Sequence, residues 1–247
     1  VKKLFPITPK KMARYSFLTL FIANGADRLV SDIFQNNVKN DFFFSDNMNG
    51  SNAIALNSKK IGKNETFLAI NPHQPFDGPT SWYEAHLISE QGTNIMGATF
   101  AGAPCILIGV NQHLAWTHTV NYPDKADIFK LQMHPKKKNV YLVDNQEYNL
   151  EIKKAKAFVK ILGISIKISR KFYKSIYGPT LKNDKGYYSV RTPSLYNIKS
   201  LEQWWRMHKA KSFTEFYNII KTRTLPGYNI GYADKNDPIF YISNGII

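Results

Sequence analysis

Apolar residues fall at helical spacing near the start of the chain. Phe21, Ile22 and Leu29 follow Leu18 by three, four and eleven residues, which would place all four on one face of a helix. We therefore predict one amphipathic helix over residues 12–38. Residues 36–49 are rich in Asn and Asp and have no such periodicity, which indicates an exposed loop.

The pattern changes at Gly50-Ser51. Short runs of alternating or wholly apolar residues replace the helical spacing, and turn-forming residues separate these runs. Such runs are typical of half-buried or buried strands. The predicted strands cover residues 51–56, 66–70, 95–100, 106–110, 113–120, 128–132, 141–143, 164–168, 187–191, 228–233 and 239–243.

Two helices are predicted between the strand at residues 187–191 and the strand at residues 228–233. Ser200 with Gln203, and Ser212 with Glu215, have the spacing of a capping box, in which two side chains satisfy free backbone N–H groups of the first helical turn. The order of one helix, many strands, two helices and two more strands favours sheets covered by helices. We therefore predict a layered α+β fold.

Composition excludes several classes of protein. Apolar residues make up 43% of the 247 residues and aromatic residues 14%, which excludes a disordered chain. No stretch approaches the ~20 apolar residues of a membrane-spanning helix. The sole cysteine, Cys105, lies in an apolar run and is predicted to be a small buried side chain, not a reactive thiol.

The chain is strongly basic, with a formal charge of +15. Its basic residues are scattered, with the densest run at residues 136–138, and no nucleic-acid-binding motif accompanies them. We therefore predict a solvated basic surface, no membrane span and no nucleic-acid partner. A basic nucleic-acid or membrane-surface binder is the alternative, and a steep fall in binding with salt would favour it.

Ser51 stands where a loop leads directly into a strand. If the chain were cut between Gly50 and Ser51, the serine would become the free N-terminus of that strand. Its α-amine, with an unperturbed pKa of ~8, could then accept the proton of its own hydroxyl, so that one residue would supply both nucleophile and base. On composition alone, a serine after a glycine is more often part of a turn.

Several sequence blocks give this serine a family context. They cover residues 50–55, 70–73, 82–87, 96–99, 102–104, 108–111, 114–120, 175–179 and 232–234. In this order and spacing they resemble the penicillin-acylase family of N-terminal-nucleophile hydrolases. Asn71-Pro72-His73 and residues 116–120 (Trp-Thr-His-Thr-Val) are most similar to acyl-homoserine-lactone acylases and their lipopeptide-cleaving relatives. Penicillin acylases proper usually have glutamine at the position of His73.

The resemblance implies a four-layer αββα sandwich, of which this chain would hold part. It also implies a precursor that cuts itself before Ser51 by an N-to-O acyl shift and becomes a heterodimer of a small and a large subunit. Residues 1–50 would be the end of the small subunit with a spacer, and residues 51–247 the N-terminal part of the large catalytic subunit. A small-molecule acyl-amide substrate, no organic cofactor and a periplasmic or secreted location are further implications.

The family pattern gives three residues catalytic roles. Gly50 and Ser51 would form the processing site, and Ser51 would also be the nucleophile. His73, which lies 22 residues after Ser51, would orient the serine and its amine. The backbone N–H of Val120 would help to hold the oxyanion, a contact worth ~3 kcal/mol in a transition state. Without the family, His73 would be a hydrogen-bonded histidine at a strand end and Val120 an ordinary strand residue.

The resemblance also implies a structural calcium site after Val120. Asp124 and Asp127 match the calcium-binding stretch of penicillin acylases, and the Ala126 carbonyl would add a ligand. Carboxylate and carbonyl oxygens are the ligands that Ca²⁺ prefers. Several homoserine-lactone acylases lack this pair, and two aspartates that cap a surface turn are the alternative.

The predicted reaction is hydrolysis of an acyl amide. A fatty-acyl homoserine lactone or a lipopeptide ranks ahead of a β-lactam amide as substrate. An acyl pocket lined by aromatic side chains is the corresponding binding site, although core packing is the commoner role for such residues; the candidates are Phe76, Trp82, Phe100 and Trp116.

The family's second oxyanion donor is an asparagine further downstream, and Asn244 lies too early to match it. We therefore expect the chain to be a piece of a longer precursor that does not turn over substrate alone. A catalytically incomplete protein that only binds acyl groups is the alternative from another class.

Overall fold

The computed structural model describes residues 5–38, 50–121, 126–192 and 197–245. They form two compact units. The first comprises residues 5–26, 50–121 and 197–245, and the second comprises residues 27–38 and 126–192. Within the described ranges, no helix is both long enough and apolar enough to cross a membrane.

Helices and strands occur mostly in separate runs along the described chain, as expected for an α+β protein. The helices are α1 (Pro9–Ala23), α2 (Ala26–Phe34), α3 (Ser58–Ile61), α4 (Ser200–Met207) and α5 (Phe213–Ile220). The strands are β1 (Ser51–Leu56), β2 (Phe67–Pro72), β3 (Trp82–Ser89), β4 (Thr93–Phe100), β5 (Ile108–Asn111), β6 (Leu114–Val120), β7 (Asp127–Lys130), β8 (Gln132–Met133), β9 (Val140–Val143), β10 (Gln146–Asn149), β11 (Glu151–Ile161), β12 (Ile164–Ser175), β13 (Gly178–Asn183), β14 (Gly186–Arg191), β15 (Tyr228–Asp234) and β16 (Ile239–Asn244).

A six-stranded antiparallel sheet forms the centre of the first unit. Its strand order is β16-β15-β6-β5-β4-β3. Helices α1, α4 and α5 pack their apolar residues against one face of it, around the fully buried Trp116 of β6 and Trp204 of α4. The Trp116 indole N–H donates to the Leu107 carbonyl at 2.8 Å, so that this buried polar group is satisfied.

A two-stranded antiparallel hairpin, β1–β2, covers the other face of the sheet. Ile230 and Tyr232 are buried in the helix-covered core, so Gly231 between them points to the opposite face. A Cβ at Gly231 would lie 3.9 Å from Leu68 Cδ1 and 4.0 Å from Ala53 Cβ. The hairpin therefore packs directly on β15, and helices, sheet and hairpin form successive layers of the predicted α+β fold.

The second unit is built on a five-stranded sheet with the order β11-β12-β13-β14-β7. Helix α2 packs Leu29 and Ile33 against Tyr188 and Val190 of β14. A small sheet of order β10-β9-β8 adds a second core around the buried Tyr141. Most of the β11–β12 hairpin extends beyond the rest of the sheet, because β12 pairs with β13 only at its last three residues.

The predicted single helix over residues 12–38 is wrong, since α1 ends at Ala23 and α2 begins at Ala26. The Asn24 amide donates to the Leu20 carbonyl at 2.7 Å, and Gly25 takes a φ of +84°, a left-handed conformation that suits glycine. Asn24 thus satisfies a backbone carbonyl at the end of the first helix, and Gly25 turns the chain towards the second.

The two capping boxes have different outcomes. Ser212 is the N-cap of α5, and its hydroxyl accepts from the Glu215 N–H at 3.3 Å, as predicted. The box at Ser200 is wrong, because Ser200 is already helical and Lys199 occupies the N-cap without a side-chain hydrogen bond. The side-chain oxygen of Gln203 accepts instead from Thr222 and Thr224.

Candidate active site

Ser51 is the first residue of β1 and lies opposite Pro72 of β2. Its half-buried hydroxyl donates to the carbonyl oxygen of Gly50 at 2.7 Å. Side chains alternate along a strand, so Ser51 shares the face of the hairpin on which Ala53 packs over Gly231. The serine hydroxyl therefore faces the six-stranded sheet.

His73 follows β2 and contacts the same carbonyl through its backbone. The His73 N–H donates to the Gly50 oxygen with an N···O distance of 3.3 Å. The carbonyl of the Gly50–Ser51 peptide bond thus accepts both the Ser51 hydroxyl and the His73 N–H. The structure thus brings Gly50, Ser51 and His73 together around one carbonyl group.

The His73 imidazole lies on the outer, exposed face of the hairpin. Its Nε2 lies 3.1 Å from the Asn52 side-chain nitrogen, within hydrogen-bonding distance. Asn52 follows Ser51 in the strand and points to the opposite face. The link between His73 and Ser51 therefore runs through the Gly50 carbonyl and not through a contact between ring and hydroxyl.

Val120 is the last residue of β6 and lies opposite Tyr228 of β15. The side-chain amide of Asn229 donates hydrogen bonds to the Val120 carbonyl at 2.9 Å and to the Thr119 hydroxyl at 3.1 Å. Asn229 lies two residues before Gly231 in β15, and side chains two residues apart in a strand point to the same face. The Asn229 side chain therefore lies on the hairpin side of the sheet. Asn229 thus fixes the strand end that carries Val120, a role that no local sequence pattern indicates.

Ser51 and Val120 lie at the same end of their layers. At the other end of the hairpin, Asp237 follows the last residue of β15 by three and binds Ser58, just after β1. Midway, Ala53 packs over Gly231. The end of the hairpin at Ser58 therefore lies at the C-terminal end of β15. The opposite end, at Ser51, lies towards Asn229, the neighbour of Val120.

A carboxylate holds the far end of the hairpin. Asp237 Oδ1 accepts from the Ser58 N–H at 2.6 Å and Oδ2 from the Ser58 hydroxyl at 2.8 Å. These hydrogen bonds to Ser58, the backbone one foremost, hold the pKa of Asp237 below its ordinary value. Asp237 therefore fixes the connection between β1 and β2 to the β15–β16 turn.

Two buried histidines of the first unit are structural. His118 Nε2 accepts from the indole N–H of Trp204 at 2.9 Å, and burial lowers the His118 pKa to about 3. His208 bonds the Ile106 carbonyl through Nε2 at 2.8 Å, and burial lowers its pKa too. Both rings are neutral at physiological pH. His118 joins β6 to α4, and His208, the residue after α4, is joined to the segment between β4 and β5. The Cys105 thiol is likewise buried, which raises its pKa to about 12, as expected for an inert side chain.

The four aromatic candidates for an acyl pocket have different environments in the structure. Trp116 and Phe100 are buried in the core, and Trp82 stacks on Phe100 with ring centroids 4.7 Å apart. Phe76 is 96% exposed and packs in no core. Phe76 is therefore the candidate that is free to contact a ligand, and the other three contribute to packing.

Two of the three predicted calcium ligands, Ala126 and Asp127, lie among the described residues. Asp124 lies outside the described residues. Asp127 is exposed at the start of β7, opposite Arg191 of β14, and Ala126 precedes it. In the part of the chain that the structure describes, no three His, Cys, Asp or Glu residues are grouped as metal ligands. Calcium takes six to eight oxygens, so Asp127 would need ligands from other segments.

Comparison with known proteins gives the family of this chain. A family model described as penicillin amidase matches residues 2–247. The acyl-homoserine lactone acylase PvdQ of Pseudomonas fluorescens (strain Pf0-1) is 32% identical over 207 residues, which cover 80% of this chain and 27% of that protein. The aculeacin-A acylase of Actinoplanes utahensis is 25% identical over 206 residues, covering 80% of this chain and 26% of that protein.

A solved structure supports the same relationship. The thermostable penicillin G acylase from Alcaligenes faecalis superposes with a TM-score of 0.58 and 25% identity, covering 67% of this chain and 30% of that chain. The chain thus spans about a quarter of the length of the curated relatives it matches. It has the α+β fold of an N-terminal-nucleophile hydrolase. The chain therefore belongs to the penicillin amidase family.

Proposed function

We propose that the protein containing this chain is a self-processing amide hydrolase that removes an acyl group from an amide through an acyl-enzyme on Ser51. The observation that carries the proposal is the Gly50 carbonyl, which accepts both the Ser51 hydroxyl and the His73 N–H. Membership of the penicillin amidase family supports the same class of reaction.

Processing would begin with attack of Ser51 Oγ on the Gly50 carbonyl carbon. Negative charge would then build on the carbonyl oxygen, towards which the His73 N–H is already directed. As the C–N bond breaks, the hydroxyl proton passes to the Ser51 nitrogen and an ester joins Gly50 to Ser51 Oγ. Water then cleaves the ester, leaving a carboxylate on Gly50 and a free amine on Ser51.

Turnover would repeat this chemistry on an external amide. The free α-amine of Ser51 takes the hydroxyl proton, Oγ attacks the acyl carbon, and the proton passes to the departing amine. The Val120 N–H would donate to the oxyanion, together with an asparagine from further along the protein. His73 would orient the serine and its amine. Water then releases the carboxylic acid and restores Ser51.

The substrate class proposed first is the N-acyl homoserine lactone. The relatives that are 32% identical over 80% of this chain carry that activity in their names. Hydrolysis of a lipopeptide or of a β-lactam amide is the alternative within the same chemistry. The protein would be a heterodimer, with residues 1–50 ending the small subunit and residues 51–247 beginning the large one, in the periplasm or outside the cell.

Mass spectrometry of the purified full-length protein tests the processing step. We expect a chain that begins at Ser51, an intact precursor for Ser51→Ala, and normal processing for the matched control Ser89→Ala on an exposed strand end. A mature chain that begins at another residue would contradict the proposal.

The backbone donor on the Gly50 carbonyl can be tested separately from the imidazole. His73→Pro removes the N–H, whereas the matched variant His73→Ala keeps it. Loss of one oxyanion donor typically slows a reaction by roughly 10²–10³-fold. We expect slow processing for His73→Pro and near-normal processing for His73→Ala. Equal rates for the two variants would show that this N–H does not contribute.

Steady-state kinetics identifies the acyl group. A hydrophobic acyl pocket gains about 0.8 kcal/mol per buried methylene, so kcat/KM should rise with the chain length of acyl-homoserine lactones until the pocket is filled. A flat profile, with preference for an arylacetyl amide, would favour the β-lactam alternative.

A further inference from the structure

We propose that the β11–β12 hairpin, residues 151–175, is an arm that docks on an anionic phospholipid surface. The proposal rests on its projection from the sheet, on the separation of aliphatic and lysine side chains between its two faces, and on its charge. It does not depend on the chemistry proposed at Ser51.

The arm projects from the five-stranded sheet of the second unit. β11 and β12 pair in register from Glu151–Lys174 to Ile161–Ile164, but only Tyr173–Ser175 pair with β13. At 3.3 Å per residue, the nine residues from Ile164 to Phe172 extend roughly 30 Å beyond the sheet. Both faces of this ribbon are exposed.

One face of the arm is aliphatic towards its tip. Directly paired residues share a face, which joins Val159 with Ile166 and Ile161 with Ile164, and alternation adds Ile168. These five side chains are between 38% and 68% exposed. Leu162, in the turn, is 96% exposed and takes a φ of +48°. Contacts between these side chains help the two strands to pair, but their outer surfaces remain exposed to solvent and available to a partner.

The opposite face is cationic. Lys154 and Lys171 lie directly opposite one another, and Lys156, Lys160 and Lys167 continue the row. Like charges directly across a strand pair destabilise the pairing. Within the described residues, none of these five lysines forms a salt bridge with an acidic side chain, since the salt bridges there join Glu147 and Glu151 to other bases. An anionic partner would relieve this repulsion.

Much of the charge of the whole chain is concentrated in the arm. Residues 151–175 contain seven lysines and one arginine against one glutamate, a net +7 of the +15 carried by all 247 residues. Pairing of two consecutive strands brings these charges side by side, so that their number exceeds that of the run at residues 136–138, which is the densest in the sequence alone.

Lipid fits these two faces better than nucleic acid does. An amphipathic element at a membrane buries its apolar face about 5–10 Å, and one sheet layer is about 10 Å thick, so lysines on its outer face remain at headgroup level. Their long side chains can bend towards the phosphates. Single-stranded nucleic acid stacks on successive aromatic rings, whereas residues 157–168 in the distal half of the arm contain a single aromatic residue, the exposed Phe158 on the lysine face.

Vesicle co-sedimentation of the full-length protein tests the proposal. Vesicles of phosphatidylcholine with about one third phosphatidylglycerol are compared with pure phosphatidylcholine, at low and at high salt. We expect binding to the anionic vesicles that falls with salt. The triple variant Lys154→Gln/Lys156→Gln/Lys160→Gln should bind on the order of 10²-fold more weakly. The matched control Lys136→Gln/Lys137→Gln/Lys138→Gln, which loses the same charge, should bind nearly as wild type.

The aliphatic face has its own readout. Leu162→Asn keeps a residue that tolerates positive φ and should weaken vesicle binding, while Ile161→Trp should show a blue-shifted emission on anionic vesicles. Equal weakening by the two lysine triples, equal binding to neutral vesicles, or no shift for Ile161→Trp would overturn the proposal. Tighter binding to a DNA oligonucleotide than to anionic vesicles would overturn it in favour of nucleic acid.

Discussion

A side chain larger than a methyl group at Gly231 should displace the hairpin that carries Ser51. An added Cβ would lie 3.0 Å from Thr117 Cγ2, closer than an ordinary contact, but 3.9 Å and 4.0 Å from Leu68 Cδ1 and Ala53 Cβ, which are ordinary contacts. Alanine would therefore have one neighbour to displace by a few tenths of an ångström. The γ-carbons of valine would reach further and enter the space of the hairpin.

The expected magnitudes differ for the two variants. Glycine in a strand costs roughly 0.5–1 kcal/mol relative to alanine, and this gain offsets a contact with Thr117 that can relax. We expect Gly231→Ala to change stability by less than about 1 kcal/mol. Overpacking costs roughly 1–3 kcal/mol, so Gly231→Val should destabilise the docked hairpin by about 2 kcal/mol. Processing should slow with it, because the hairpin positions the Ser51 hydroxyl.

Hydrogen exchange of the β1 and β2 amides measures this local opening, and a time course of precursor cleavage measures processing. Leu68→Ala makes space on the hairpin side, so the double variant Gly231→Val/Leu68→Ala should recover part of both losses. If Gly231→Val exchanges and processes like the wild type, or if Leu68→Ala and Gly231→Val act additively, the packing argument is refuted.

Four further variants have expected outcomes. His73→Ala should reduce turnover on the order of 10²-fold with little change in Tm, and normal turnover with a lowered Tm would make His73 purely structural. Asn229→Ala loses two hydrogen bonds at about 0.5–1.5 kcal/mol each and should lower kcat more than it raises KM, which steady-state assays measure. Asp237→Asn should be less stable at neutral pH. Because the folded pKa of Asp237 is lowered, its stabilisation is present above the unfolded value of ~3.9 and is lost as the pH falls below it, so denaturation curves of variant and wild type should converge in acid. Asp127→Asn should lower the Tm only if Ca²⁺ binds there, and calorimetry on chelated wild type should then match the variant.

Local sequence patterns were sufficient to predict the helices and strands whose structure depends mainly on residues close to one another in the sequence. The strand from Ser51 to Leu56 and the cap at Ser212 were predicted and are confirmed. The break at Asn24 and Gly25 was missed, because the apolar spacing continues across it while the turn depends on a side-chain hydrogen bond. Strand β11 was also missed. Its lysines have a low strand propensity, and it is stabilised by pairing along its full length with β12.

The site was less accessible to sequence reasoning because its contacts are long-range. Ser58 and Asp237 are 179 residues apart, and Asn229 reaches Val120 across 109 residues. A sequence block can indicate that Ser51 and His73 belong to one family pattern. It cannot indicate that the Ser51 hydroxyl faces the sheet while the His73 ring faces outwards, since that depends on the strand pairing.

The contacts that hold the hairpin also determine where Ser51 lies after cleavage. Cutting the Gly50–Ser51 bond removes the covalent tether on one side of Ser51 and releases the carbonyl that its hydroxyl contacts. The remaining contacts all lie on the C-terminal side of the serine: pairing with β2, packing of Ala53 over Gly231, and the bonds from Ser58 to Asp237. None of them involves Gly50, so cleavage leaves them intact. If the proposed cleavage takes place, the new N-terminal serine would therefore stay on the face that looks towards β6 and β15, with a free amine and with the Gly50 oxygen no longer in place to accept its proton.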